Sequence, residues 1–108
     1  MTHRAIYAAP FVYDLAFSYR DIDRERTFLA DVYERRRGRG PASFVELAAG
    51  PARHALAFAA MGIRSHAVDL SPEMVAYGRE LADARNVHLA YERGDMRSFT
   101  LEAPVDLA

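Results

Sequence analysis

Four acidic residues, Glu46, Asp69, Asp95 and Asp106, recur at the ends of short apolar runs or in the turns beside them. Behind Glu46, the stretch Leu47-Ala48-Ala49-Gly50-Pro51-Ala52-Arg53 makes a tight small-residue turn that enters a helix-prone segment. Such a turn lets backbone N–H groups and a helix N-terminus approach a ligand. A later carboxylate such as Asp69 accepts hydrogen bonds from ribose hydroxyls. The chemistry this pattern suits is the holding of an adenosine-bearing cofactor. Any one of these acids alone also fits a helix N-cap or a solvated loop. Four in series at strand ends converge on one crevice, because parallel sheets bind ligands at the carboxyl ends of their strands.

The elements that must position these residues follow from periodicity and punctuation. Residues 3–20 carry Tyr7, Phe11, Tyr13, Phe17 and Tyr19, with Pro10 interrupting any long helix, which predicts a short irregular or helical lead-in. Asp21 is an N-cap for a helix to residue 37, with Ile22, Phe28, Leu29, Val32 and Tyr33 as its apolar stripe, stopped by Gly38-Arg39-Gly40-Pro41. Strands are expected at 43–47, 65–69 and 87–91, with a fourth beginning at 105–108. Helices are expected at 53–61, ended by Gly62, and from Ser71-Pro72-Glu73 to about Ala84, with Met74, Val75, Leu81 and Ala82 buried. Strands alternating with helices imply a parallel sheet with right-handed crossovers.

The 108 residues suffice for one modest domain, and 51% apolar and 27% charged residues are ordinary for a globular chain. A net charge of −1 argues against a dedicated nucleic-acid binder. The cluster Arg35-Arg36-Arg37-Gly38-Arg39 reads as a solvated helix end, where cations are favoured. No apolar run approaches a membrane span, and the first ten residues lack the apolar stretch of a signal peptide. The absence of cysteine excludes disulfides and thiolate metal sites and fits a reducing cytoplasm. His3, His54, His66 and His88 show no metal spacing, and His54 reads as a helix-surface or partly buried residue.

The motifs, taken in order, resemble those of class I S-adenosylmethionine-dependent methyltransferases over residues 43–108. Val45-Glu46-Leu47-Ala48-Ala49-Gly50-Pro51-Ala52-Arg53 is similar to that family's acid followed by a G-x-G-x-G turn. Ala67-Val68-Asp69-Leu70-Ser71-Pro72-Glu73-Met74 resembles its second-strand motif, Gly94-Asp95-Met96-Arg97 the motif after the third strand, and Pro104-Val105-Asp106-Leu107-Ala108 the opening of the fourth.

The resemblance implies an α/β, Rossmann-like parallel sheet of order 3-2-1-4 with flanking helices, incomplete relative to a seven-stranded methyltransferase. It implies one domain over 1–108, with 1–40 as helical lead-in or lid and 43–108 as the β-α-β-α-β-β cofactor-binding half. The cofactor the resemblance implies is S-adenosylmethionine. Glu46 anchors the turn and reaches the methionine end. Ala48 and Gly50 form the turn, with Gly50 allowing close approach. Asp69 binds the ribose hydroxyls, and Leu70 packs on the adenine. Met74 belongs to the same second-strand motif. Asp95 accepts from the adenine amino group, with the Met96 N–H meeting a ring nitrogen. Asp106 lies near the methionine amine. Tyr13-Asp14-Leu15-Ala16 resembles a segment that folds over the cofactor, making Tyr13 and Tyr19 lid candidates beside the alternative of core packing.

Two departures carry consequences. Ala48 and Ala52 stand where the family usually has Gly, which suits negative φ at both positions. The chain reaches only the fourth strand, so an open edge is expected that invites a second copy or a partner chain. The function the resemblance implies is methyl transfer to a small-molecule or protein acceptor. The alternative is a truncated, non-catalytic cofactor-binding or partner-completed module, and whether the chain alone is an enzyme stays open. No catalytic base and no metal ligand stands out. A nicotinamide-dependent dehydrogenase is disfavoured by the acid before the turn and by Gly94-Asp95-Met96.

Overall fold

The structure, a computed structural model, describes residues 9–101 and 104–108, so Tyr7 and His3 lie outside the described residues. The lead-in folds as α1 (Pro10–Ala16) and α2 (Ile22–Arg37), followed by β1 (Ser43–Leu47), α3 (Arg53–Ala60), β2 (Arg64–Asp69), α4 (Pro72–Ala84) and β3 (Ala90–Arg93). Pro10 begins α1 rather than breaking it, as its fixed φ and missing N–H suit a first helical turn. The side chain of Asp21 accepts from the Arg24 N–H at the start of α2, and Gly38 ends that helix at φ +76°. Ser71 caps α4 through the Met74 N–H.

The sheet is parallel with order β1-β2-β3. Its register pairs Ser43 with Arg64 through to Leu47 with Val68, and His66 with Ala90 through to Asp69 with Arg93. The carboxyl ends of all three strands therefore line up along one edge. On the other side of β1, Phe44 pairs with Leu107 in a single parallel bridge, where a fourth strand was expected. The helices cover the sheet because parallel strands bury both faces. Phe44, Ala49, Ala52, Ala55, Phe58, Ala67, Val75 and Tyr91 form the core, with the Phe44 and Phe58 ring centroids 4.4 Å apart.

Three expectations need correction. The third strand lies at 90–93, not 87–91. Asn86 adopts φ +53°, and the N–H groups of Asn86 and Val87 bond back to the Asp83 and Ala82 carbonyls, so the first of those residues complete the helix terminus instead of joining the sheet. Phe28 on α2 is 66% exposed, because only its neighbours Leu29 and Ala30 turn toward the core. In α4 the fully buried positions are Met74, Val75, Gly78 and Ala82, while Leu81 is half-buried. No helix among the described residues is long and apolar enough to cross a membrane.

Candidate functional site

The turn after β1 occupies the sheet's carboxyl edge and sets the geometry of everything around it. Three of its residues are left-handed: Ala48 at φ +51°, Gly50 at +57° and Ala52 at +58°. The negative φ expected for the two alanines is therefore not what the chain adopts. The turn keeps a glycine-type path, and each alanine carries about 1–2 kcal/mol of strain. Gly50 sits closely beneath its neighbours. An added Cβ would meet the Tyr13 ring at 3.6 Å and the Met74 sulfur at 3.9 Å.

Asp69, at the end of β2, reaches back to this turn. Its Oδ2 accepts the Gly50 N–H at 2.9 Å and its Oδ1 accepts the Ser71 N–H at 2.8 Å. A carboxylate oxygen can accept more than one hydrogen bond, so acceptor capacity remains on both oxygens. Asp69, Tyr13, Ala48, Gly50, Leu70, Asp95 and Met96 all border a cleft of about 870 Å³. That volume lies within the range of small-molecule sites. Leu70 is 60% and Met96 54% exposed, so the cleft wall offers two apolar side chains that nothing else covers. The Asp95 carboxylate accepts from the Arg97 side chain and backbone, and the guanidinium holds its carboxyl down at about 2. Met74 is buried directly beneath the turn.

A second cavity, about 540 Å³, adjoins the first and shares Tyr13 and Ala48 with it. Glu46 faces this one. Its Oε1 accepts the Ala55 N–H at 3.0 Å, satisfying an otherwise free donor in the first turn of α3, and its Oε2 meets His54 Nδ1 at 3.2 Å. The other ring nitrogen of His54 faces Glu25 Oε1 at 3.2 Å. Both nitrogens can donate only in the imidazolium form. The Glu46 hydrogen bond accordingly raises the His54 pKa against the opposing effect of burial, with Glu25 adding to the rise. Arg20 pairs with Glu25 and extends the chain of charges to the lead-in.

The lead-in is tied down by Asp14, which accepts from Arg53 Nε at 2.9 Å and from the Tyr77 hydroxyl at 2.8 Å. Burial would raise the Asp14 carboxyl, but its bonds to Arg53 and Tyr77 hold it below its ordinary value. This anchor places Tyr13 over the turn.

Two expected site residues lie elsewhere. Tyr19 is 79% exposed and borders neither cavity. Asp106 sits at the amino end of β1, where it accepts from Arg39 and from the Ala42 N–H at 2.8 Å. Four residues of β1 put it roughly 13 Å from the carboxyl edge. The acid at this position begins its strand, so it cannot share an edge with acids that end theirs.

Sequence reasoning missed Tyr91, whose buried hydroxyl donates to the Gly50 carbonyl, and the tie between His54 and Glu46. A signal for Tyr91 existed: Gly78, a helix-weakening residue inside α4, marks a close approach, and it is the Tyr91 ring that fills the space. Among the described residues, no group of three or more His, Asp or Glu could hold a metal.

A parallel sheet with a glycine-type turn after β1 and an acid ending β2 defines a nucleotide-cofactor fold of the Rossmann kind. Residues 44–108 match the methyltransferase domain family, and the chain belongs to it. Its class is that of the S-adenosylmethionine-dependent methyltransferases.

Among solved structures, the chain is similar to S-adenosylmethionine-bound CalS10, an amino pentose methyltransferase from Micromonospora echinaspora, at 25% identity and a TM-score of 0.74, over 89% of this chain and 40% of that one. The glycopeptide N-methyltransferase MtfA, complexed with sinefungin, matches at 29% identity and a TM-score of 0.54, over 72% and 33%. Streptomyces venezuelae DesVI shares the fold at 22% identity and a TM-score of 0.73, over 97% and 41%. The chain thus spans less than half the length of each of these. No curated protein matches the sequence.

Proposed function

We propose that residues 1–108 form one domain, with 1–40 as lead-in and 43–108 as the cofactor-binding half, that holds S-adenosylmethionine for methyl transfer to a small-molecule or protein acceptor. The observation that carries the reading is the Asp69 carboxylate, which ties the Gly50 turn to β2 while facing the cleft. In this reading the nucleoside occupies the larger cleft. Asp69 accepts from the ribose hydroxyls, Leu70 and Met96 flank the adenine, and Asp95 accepts from its amino group. Tyr13, Ala48 and Gly50 would line the wall beside the methionine end, with Glu46 in the adjoining cavity. Met74 supports the turn from below.

When bound, S-adenosylmethionine supplies an activated methyl group, so the protein's task is alignment of donor and nucleophile more than acid–base chemistry. Asp69 and Gly50 orient the nucleoside, Tyr13 covers it, and the Asp14–Arg53 pair holds that cover in place. None of the described residues is assigned as a general base.

The Phe44–Leu107 bridge supports a fourth strand beside β1, giving the order 3-2-1-4. A second reading is a cofactor-binding module completed by a second copy or a partner chain at the free edge of that fourth strand, since among the described residues Leu107 pairs only with β1. A cysteine-free composition supports a cytoplasmic setting.

Calorimetric titration of S-adenosylmethionine and of NADH into the purified chain tests the proposal. Saturable binding of the first alone supports it. Binding of NADH alone, or of neither, overturns the cofactor reading for this chain.

A further inference from the structure

We propose that Tyr91 is a positioning residue for the cofactor turn, its hydroxyl fixing the path of the backbone at Gly50. The inference rests on the cofactor reading given above. Two hydrogen bonds grip Gly50: its N–H donates to Asp69 Oδ2 at 2.9 Å, and its carbonyl accepts from the Tyr91 hydroxyl at 2.5 Å. The N–H belongs to the peptide before the Gly50 Cα and the carbonyl to the peptide after it. The pair therefore constrains both φ and ψ of the residue on which the turn pivots.

This chain has a particular need for such a grip. Glycine would sit at φ near +50° without strain, but Ala48 and Ala52 do so on either side of Gly50. Left to itself, the segment would relax toward negative φ at the two alanines. Tyr91 opposes that relaxation from a rigid base. It pairs with Ala67 in the sheet, its ring is 3% exposed, and its carbonyl accepts from Arg79 Nε at 2.9 Å. Gly78 leaves the ring its place, since a Cβ there would lie 2.5 Å from it. A phenylalanine would fill the same volume, so the sequence's use of tyrosine is explained by the hydroxyl and not by packing.

The test is Tyr91→Phe in the full chain, read in three ways. Without ligand, amide hydrogen exchange at Ala48, Ala49, Gly50 and Ala52 should accelerate about tenfold relative to the amides of β1 and β2. The dissociation constant for S-adenosylhomocysteine should rise about tenfold. Adding Ala48→Gly to Tyr91→Phe should recover part of that affinity, because a turn relieved of one of its two strained alanines depends less on the grip. Unchanged exchange at those four amides, together with unchanged affinity, overturns the proposal and reduces Tyr91 to packing. Loss of affinity that Ala48→Gly does nothing to restore also overturns it. Failure of the unmutated chain to bind S-adenosylhomocysteine would instead sink the cofactor reading, and the ligand-free exchange measurement would then decide the role of Tyr91 alone.

Discussion

The Asp69 carboxylate accepts the backbone N–H of Gly50 across 2.9 Å, joining the end of β2 to the turn that follows β1. One side chain thus does two jobs that a motif comparison separates: it shapes the turn and it faces the cleft. Asp69→Ala should therefore cost more than ligand affinity. Losing the carboxylate removes its hydrogen bonds to the Gly50 and Ser71 N–H groups, worth about 1–3 kcal/mol of stability by urea unfolding. Affinity for S-adenosylhomocysteine should fall at least ~100-fold, as two charge-assisted bonds to ribose vanish. Full retention of affinity would contradict the assignment.

The left-handed alanines give a prediction with opposite signs of burial. Ala48 is exposed, so Ala48→Gly relieves strain and loses no packing. It should stabilise the chain by roughly 0.5–1 kcal/mol after the added flexibility of the unfolded state. Ala52 is fully buried, and its methyl contributes about 0.8 kcal/mol of burial, so Ala52→Gly should come out near zero. Equal effects at the two sites, by thermal or urea unfolding, would refute the strain account.

Asp14 supplies the third. No residue of α1 is buried, so the helix is held mainly by side-chain bonds from Asp14 to Arg53 and Tyr77. Asp14→Ala should release α1: amide exchange over 11–16 becomes fast while global stability changes by less than about 1 kcal/mol. Cofactor affinity should drop severalfold as Tyr13 loses its position. Continued protection of 11–16 would show that something other than Asp14 docks the helix.

The His54 bridge predicts a pH dependence. Its folded-state pKa is raised above 6.5 by Glu46 first and Glu25 next, so the folded chain binds the proton more tightly than the unfolded one. The stability this contributes is complete below pH 6.5 and is lost as pH rises from there through the folded-state value. Urea unfolding at stepped pH should show that decline in the unmutated chain and a flatter profile in His54→Gln. Superimposable profiles would remove His54 as its source.

Much of the site could be read from residue order, for physical reasons that differ by element. Ser43–Leu47 and the Ser71-capped α4 emerged at their observed boundaries because a buried run and a side-chain cap are local signals. The third strand shifted because Val87 and Leu89 look like strand residues, while the Asn86 turn that commits the first of them to the helix end depends on backbone bonds. Asp106 was misplaced because a sequence marks that an acid touches a strand and not which end of the assembled sheet it meets. The Tyr91 and His54 ties, 41 and 8 residues from their partners Gly50 and Glu46, exist only once β3 and α3 have docked.

The most direct test of the central claim removes atoms from the ligand and leaves the protein untouched. Calorimetry should compare S-adenosylhomocysteine with its 2′,3′-dideoxy analogue on the unmutated chain. If Asp69 accepts from both ribose hydroxyls, the analogue binds at least ~100-fold more weakly. Equal affinities would contradict the account and take the nucleoside away from Asp69.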